Sequence, residues 1–479
     1  MAEFIVAIEL GSSKIIGIAG RKNLDGSITV NSVVKEDASQ CIRKGIVYNI
    51  DKTGQCLTSI INKLKKQIKH NITYVYVGVG GQSLRSVKNM ISKDFTVDTV
   101  ITSEMINALM DSNRNITYPD QEILDAVTQE YKVNNQFQTD PVGIPATHLE
   151  GNFLNILWRK SFYDNLNNCF KKAGIAIAEM YLAPLALADS VLTDTEKRAG
   201  CVLVDLGADT TTISVYYKNI LRHIVVIPLG SNNITKDIAS LQMEEKDAEK
   251  LKLIYASAYT DENDIDNNLS YPVSKDFAIE SRKFIDIVEA RIEEIIENVI
   301  YQIPSEYYDK LLGGFILTGG GANMKNMERA FKNNTHVQKI RTAKFVTQTI
   351  KTNNTDINTK NGTMNTILGL LAKGNMNCVG AELTNTQGLF DETKAATAPK
   401  DIHQQPRKPT EIAQGVVLTA AEKEKAEAER RRIEEEELKR QEEEKIKERE
   451  RKEKNKNTFW GKIVKKVKSV GSSMLEPEE

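Results

Sequence analysis

Apolar and polar positions fall into two copies of one pattern. Near the start, "IVAIELGSSKIIGIAGRKN" runs from Ile5 as an apolar strand, an acid-Leu-Gly tip, small polar residues and a second β-rich run. Shifted by 196 residues, "CVLVDLGADTTTISVYYKN" repeats it from Cys201, setting Glu9 on Asp205, Leu10 on Leu206, Gly11 on Gly207 and Asn23 on Asn219. Each copy predicts a hairpin with a tight turn. A third stretch, "GGFILTGGGANMKNMERAFKN" (313–333), predicts a strand entering three glycines and then a helix. Up to about residue 375, β-rich runs alternate with helical patterns, which predicts an α/β fold. An internal duplication in such a chain suggests two lobes facing one another across a cleft.

The pattern then changes. From about 376 to 417 the chain is rich in Thr, Gln, Pro, Lys and Ala, the composition of a disordered linker. Residues 421 to 456 hold fourteen acidic and fourteen basic side chains. Ile433, Leu438 and Ile446 keep no heptad spacing, so the segment reads as an isolated solvated helix or a disordered tether. In either form 418–457 is a spacer, reaching about 50 Å if helical.

Beyond it, in "TFWGKIVKKVKSVG", apolar periodicity returns. On a helical wheel Phe459, Trp460, Ile463, Val464, Val467, Val470 and Met474 share a sector of roughly 140°. Lys462, Lys465, Lys466 and Lys468 take the other side, and no acid follows until Glu476. Basic face, apolar face and interfacial Trp predict that 458–475 lies in the plane of an anionic membrane; docking on the body or on a partner is the alternative.

Composition narrows this. The chain has 479 residues, 40% of them hydrophobic, and a net charge of −1. It is long enough for several domains with a real core, and it offers no global attraction to nucleic acid. Cys41, Cys56, Cys169, Cys201 and Cys378 are scattered and never spaced as C-x-x-C, which argues against a disulfide framework or a zinc site. The start "MAEFIVAIELG" lacks a basic n-region, and no run approaches the roughly 18 apolar residues of a span. A cytosolic protein touching a membrane from its surface is expected.

The hairpin tips suit phosphate. Glycine lets the backbone approach closely, and free N–H groups with Ser or Thr hydroxyls cradle oxyanions. An acid at the strand end, Glu9 or Asp205, can hold Mg²⁺ directly or through water. Gly319, Gly320 and Gly321 leave room for a flat ring, though an ordinary strand-to-helix turn reads the same way. No G-x-x-x-x-G-K-[ST] is present.

Hairpin, second hairpin and L-T-G-G-G in this order resemble the actin, Hsp70 and sugar-kinase superfamily, and within it the FtsA family of bacterial cell-division proteins. Glu9 in the first hairpin, "CIRKGIVYNID" (41–51), "VTQEYKVNNQFQTDPVGIPATHLEG" (127–151), and "SNNITKDIASLQ" with "DAEKLK" (231–252) carry the closer resemblance. It covers roughly residues 1–375. It implies an actin-like two-lobed ATPase fold: lobe 1 (1A) from 1–83 and 165–199, an inserted subdomain (1C) at 84–164, lobe 2 (2A) from 200–230 and 306–375, and a second variable subdomain (2B) at 231–305.

The resemblance also implies an ATP site. Gly11, Ser12, Ser13 and Lys14 would face the phosphates from one lobe, and Asp205, Gly207, Ala208, Asp209, Thr210 and Thr211 from the other. Glu9 and Asp205 would hold Mg²⁺ and its waters. Glu249 and Lys252 match ribose and adenine contacts, although an exposed helix pair is the plainer reading. Gly320, Gly321, Ala322, Asn323 and Met324 would line the adenine slot beside Gly319.

Two departures stand out. G-A-D in the second tip replaces the glycines of most relatives, so Ala208 and Asp209 crowd the turn and Asp209 adds negative charge. Ala183 stands before Pro184, where filament-forming relatives carry a water-activating Glu; Glu179 and Asp189 do not match that position. Slow or absent hydrolysis is therefore expected, since alanine cannot orient or deprotonate water.

The family's role implies a protein that polymerises at the cytoplasmic face of the bacterial plasma membrane, at the division site. It would receive the C-terminal peptide of FtsZ on 231–305, with Arg282 and Arg291 as candidate contacts, anchor Z-ring filaments and recruit later division proteins. A small-molecule kinase of the same superfamily and an actin-like pilus-assembly ATPase are the rivals.

Overall fold

A computed structural model describes residues 4–273, 277–335 and 337–382. In the first lobe the strand Phe4–Leu10 turns at Gly11 and returns antiparallel as Lys14–Lys22, with Leu10 opposite Ile15. Lys14–Lys22 pairs with Ile28–Asp37. On its other edge Phe4–Leu10 takes Tyr74–Val79 in parallel, and that strand takes Ala176–Leu182. Ile350–Lys351 closes the outer edge.

The second lobe repeats this order with Ile220–Ile227, Thr211–Tyr217, Cys201–Leu206, Gly314–Thr318 and Ile340–Thr342. The duplication seen at the two tips thus extends through the whole strand order. Central strands of this kind are covered on both faces and read as continuous apolar runs; Cys201, Val202, Leu203 and Val204 are accordingly buried.

Register assigns the faces. Gly17, Ile8 and Val77 lie side by side, and there the helix Ile50–Ile68 packs so closely that a Cβ on Gly17 would stand 2.3 Å from Ile60 Cγ2. That helix starts at Asn49, whose side chain accepts the Lys52 N–H. Ile16, Glu9 and Gly78 lie one step along, on the opposite face. Here Leu370 of the helix Asn365–Lys373 and the Ala183 side chain close on Gly78.

Helices Ala183–Val191 and Asn365–Lys373 cross where Gly369 meets the Ala186 carbonyl. Their core takes in Leu203, Tyr216, Ile224 and Ile316 of the second sheet, so apolar packing ties the lobes together.

Between Tyr74–Val79 and the helix Lys160–Ala173 the chain adds Arg85–Val100, the helix Ser103–Arg114, Gln121–Val133, Gln136–Gln138 and Pro145–Arg159. This insertion has a small core of its own around Leu109, Tyr131, Leu149 and Phe153. It joins the second sheet through Arg85 opposite Val225.

Residues 231–305 form the helices Ser231–Ala239, Glu245–Tyr255 and Ser281–Tyr301. The last buries Phe284, Val288, Ile292, Ile295, Ile296 and Val299, matching its apolar periodicity.

Residues 376–382, placed in the linker on composition, are held to the body. Val379–Glu382 pairs with His70–Ile72, and the Cys378 N–H donates to the Phe4 carbonyl at 2.7 Å. The remainder of the expected linker, the charged spacer and the amphipathic helix with its face Phe459, Trp460, Ile463, Val464, Val467, Val470 and Met474 lie outside the described residues.

Candidate functional site

The two tips adopt one turn. Gly11 N–H donates to the Lys14 carbonyl at 3.0 Å, and Gly207 N–H donates to the Thr210 carbonyl at 2.9 Å. A Cβ on either glycine would stand 2.9 or 2.8 Å from that carbonyl oxygen. The glycines are required by this closeness.

A loop of the first lobe reaches both tips. Lys44 and Gly45 have φ of 50° and 73°, and their consecutive N–H groups diverge to different lobes. Gly45 N–H donates to Ser12 Oγ at 2.8 Å, while Lys44 N–H donates to Asp209 Oδ2 at 3.2 Å. Gly45 is pressed on Gly81, itself at φ 88°, so neither tolerates a side chain. Asp209 accepts a second bond on Oδ1 from Asn232 Nδ2 at 2.7 Å. The second tip also seats the helix Ser231–Ala239: Ser231 and Asn232 N–H donate to the Gly207 and Ala208 carbonyls.

Glu9 and Asp205 are the carboxylates of the two strand ends. Both keep some accessible surface, yet Glu9 Oε2 has none and no hydrogen-bond partner. Burial, reinforced by the Asp205 charge and opposed by Lys35, pushes the Glu9 carboxyl up to about 8. Burial pushes Asp205 up to about 6. An orphaned carboxylate oxygen beside a second acid fits a hard cation such as Mg²⁺, which keeps waters and takes phosphate oxygens. Among the described residues no group of three or more acidic, His or Cys side chains could hold a metal ion.

Other candidates separate by location. Ser13 and Lys14 are exposed, and Ser13 gives its carbonyl to the Ala38 N–H at 3.0 Å. Thr210 is half-buried in the turn. Thr211 is buried and donates to the Leu229 carbonyl, which makes its hydroxyl a brace for the tip. Lys252 is buried too, with its ammonium held by Glu249 Oε2 at 2.7 Å, Thr235 Oγ1 at 2.8 Å and the Ser231 carbonyl at 3.1 Å. That arrangement sets a cation beneath the first turn of Ser231–Ala239. Glu249 remains partly exposed and also accepts from Thr235.

Of the three consecutive glycines, Gly319 (φ 85°) is fixed by Asp205 Oδ1 and the Leu206 carbonyl, and Gly321 by Leu206. Gly320 is the open one: a Cβ there would meet only Thr363, at 3.9 Å. Ala322 belongs to the core and Met324 packs on it. Asn323 donates to the Gly320 and Asn361 carbonyls.

Ala183 opens its helix against Gly78 and Gly80. Asp189 lies further along and is ion-paired with Lys197 at 2.6 Å and Lys373 at 2.5 Å. Burial would raise its carboxyl, but those two ammonium groups outweigh it and hold it low. Arg282 pairs with Glu262 and Asp286, and Arg291 with Asp237 and Glu294.

Sequence reasoning missed the Lys44 and Gly45 amides, Gly81, Gly230 and Asn232. The signal available was the segment Cys41–Asp51 together with the paired glycines of "GVGGQS".

Comparison with known proteins shows the family. The family model described as "Cell division protein FtsA" matches residues 202–365, and "SHS2 domain inserted in FTSA" matches 81–157. The cell division protein FtsA of Porphyromonas gingivalis is 32% identical over 342 residues, covering 69% of this chain and 71% of its own. That of Neisseria meningitidis is 30% identical, covering 67% and 79%; that of Bacillus subtilis is 30% identical, covering 67% and 74%. Among solved structures, the PilM–PilN type IV pilus biogenesis complex aligns with a TM-score of 0.52 at 14% identity, over 77% of this chain and 97% of the other, which is a likeness of fold. With its duplicated actin-like lobes and its SHS2 insertion, the chain belongs to the family of the cell division protein FtsA.

Proposed function

We propose that this chain serves bacterial cell division as an ATP-binding, membrane-anchored partner of FtsZ filaments. The observation that supports it most is the pair of matched tips with their two carboxylates, Glu9 and Asp205, one from each lobe. In this reading the tip backbones orient the phosphates, and the carboxylates hold Mg²⁺ through its waters. With Ala183 against Gly78 and Gly80, and Asp189 held by two lysines, neither supplies a base at the helix start. Bound ATP then acts mainly to set the lobes for self-association, and hydrolysis is slow.

The segment 231–305 would receive the C-terminal peptide of FtsZ. The basic amphipathic stretch 458–475 would hold the chain on an anionic membrane. Each lysine there contributes about 1 kcal/mol, so a single copy binds weakly and a polymer binds by avidity. The inserted domain remains free to recruit later division proteins.

Co-sedimentation with anionic liposomes tests the reading, comparing the full chain with one ending at Asn457, each with and without Mg–ATP. Pelleting of the full chain alone, strengthened by ATP, is the expected result. If the shorter chain pellets equally, or if neither pellets, the membrane anchor is lost from the account.

A further inference from the structure

Asp209 is where this chain departs from its own first tip, and the structure gives that departure a place. Two successive backbone N–H groups with left-handed φ values, Lys44 and Gly45, lie between the two tips and turn one donor to each. The loop is anchored by the Gly45–Gly81 contact and by Gln82 N–H donating to the Lys44 carbonyl at 2.8 Å. Its two amides are occupied from opposite lobes, one by the neutral Ser12 hydroxyl and one by the Asp209 carboxylate. Asn232 holds the other carboxylate oxygen, so Asp209 is set in place from its own lobe.

We infer that the Lys44–Gly45 amides are a third wall of the phosphate site, and that Asp209 is a built-in anion occupying it until a nucleotide's terminal phosphate displaces it. This inference rests on the nucleotide reading above. Three observations support it. The amides lie between the two tips and touch both. The occupant is a carboxylate, the side chain closest in charge and shape to a phosphate edge. Its partner Asn232 stands in the first turn of Ser231–Ala239, where the positive end of the helix dipole favours an anion.

Displacement has a consequence for selectivity. A longer phosphate chain reaches further toward the Lys44 amide, so Asp209 opposes ATP more than ADP. Its release would also free the loop of one lobe from the tip of the other, which links nucleotide state to lobe movement.

The test is binding of Mg–ATP and Mg–ADP to the full chain and to Asp209→Ala and Asp209→Asn, with hydrogen exchange read over residues 42–48. Removal of the built-in anion should tighten ATP binding about tenfold, equivalent to about 1.4 kcal/mol, and ADP binding by less. The 42–48 peptide should exchange faster in unliganded Asp209→Ala than in the native chain. Asp209→Asn, which keeps an oxygen acceptor without the charge, should tighten ATP while leaving exchange close to native. If native chain binds Mg–ATP and Asp209→Ala binds it equally or more weakly, Asp209 is a cation ligand or a bystander and the inference fails alone. If no form binds Mg–ATP, the nucleotide reading fails and the inference with it.

Discussion

After its glycine the first tip carries Ser12, Ser13 and Lys14; the second carries Ala208, Asp209 and Thr210 on the same turn. The backbone is duplicated to within a tenth of an ångström in its closing hydrogen bond, while the side chains have diverged in charge and in support. Ser12 is held by one amide of the neighbouring loop, and Asp209 by an amide from the other lobe and an asparagine from its own. The second tip is also the more tightly packed: a Cβ on Gly230 would stand 2.4 Å from the Ala208 carbonyl oxygen and 2.7 Å from Thr210 N. Duplication therefore preserved the turn, and the surroundings of the two copies diverged. One tip is open and polar. The other is buttressed by a helix and carries its own anion.

The largest break in this comparison should come from Gly230→Ala. The Ala208 carbonyl and the Thr210 N of the second tip must move, so unfolding free energy should fall by at least about 2 kcal/mol. Gly11→Ala, which meets a single carbonyl oxygen, should lose less than half as much by chemical denaturation.

Next in size is a pH effect that separates the two acids. Glu9 is raised to about 8 in the folded chain, so between its ordinary value of 4.5 and that point the native state holds a proton the unfolded state has released. Native stability therefore falls as pH rises through this window. Glu9→Gln removes the Glu9 share of the dependence, and at pH 8 it should be more stable than the native chain by about 1 kcal/mol or more. For Asp205, raised to about 6 from 3.8, the corresponding gap with Asp205→Asn opens and levels off at lower pH. Thermal melts from pH 5 to 8 measure both.

The smallest effect belongs to Ser12→Ala, which gives the first tip the alanine of the second. It removes the acceptor of the Gly45 amide, a loss of about 1 kcal/mol. Amide exchange at Gly45 should rise while Lys44 stays protected by Asp209.

The tips were legible in the sequence because an acid-Leu-Gly motif recurs at a fixed offset, and a repeat carries information that a lone turn does not. The segment Ser281–Tyr301 carries a helical apolar period, and the helix buries the positions that the period picks out. The Lys44 and Gly45 amides were not legible, because backbone donors leave no side-chain signature and their neighbours in space are distant in sequence. Thr211 read as a phosphate hydroxyl; as the first strand residue after the turn it is buried, and its hydroxyl donates to the Leu229 carbonyl. Gly319 and Gly321 read as space for a ring, whereas the strand end bearing Asp205 and Leu206 already requires both. The end of the body was misplaced by a few residues because Val379–Glu382 is too short to stand out in composition.

If the two tips face one nucleotide through Glu9 and Asp205, binding must depend on both carboxylates. Calorimetric titration of Mg–ATP into the full chain at pH 7, in two buffers of different ionisation enthalpy, tests it most directly. One site per chain and release of a proton on binding are expected, because Glu9 is mostly protonated when free. Binding should weaken at least about tenfold in both Glu9→Gln and Asp205→Asn, and the proton release should vanish in the first. Binding that survives both substitutions unchanged, or no binding to the native chain, would contradict it.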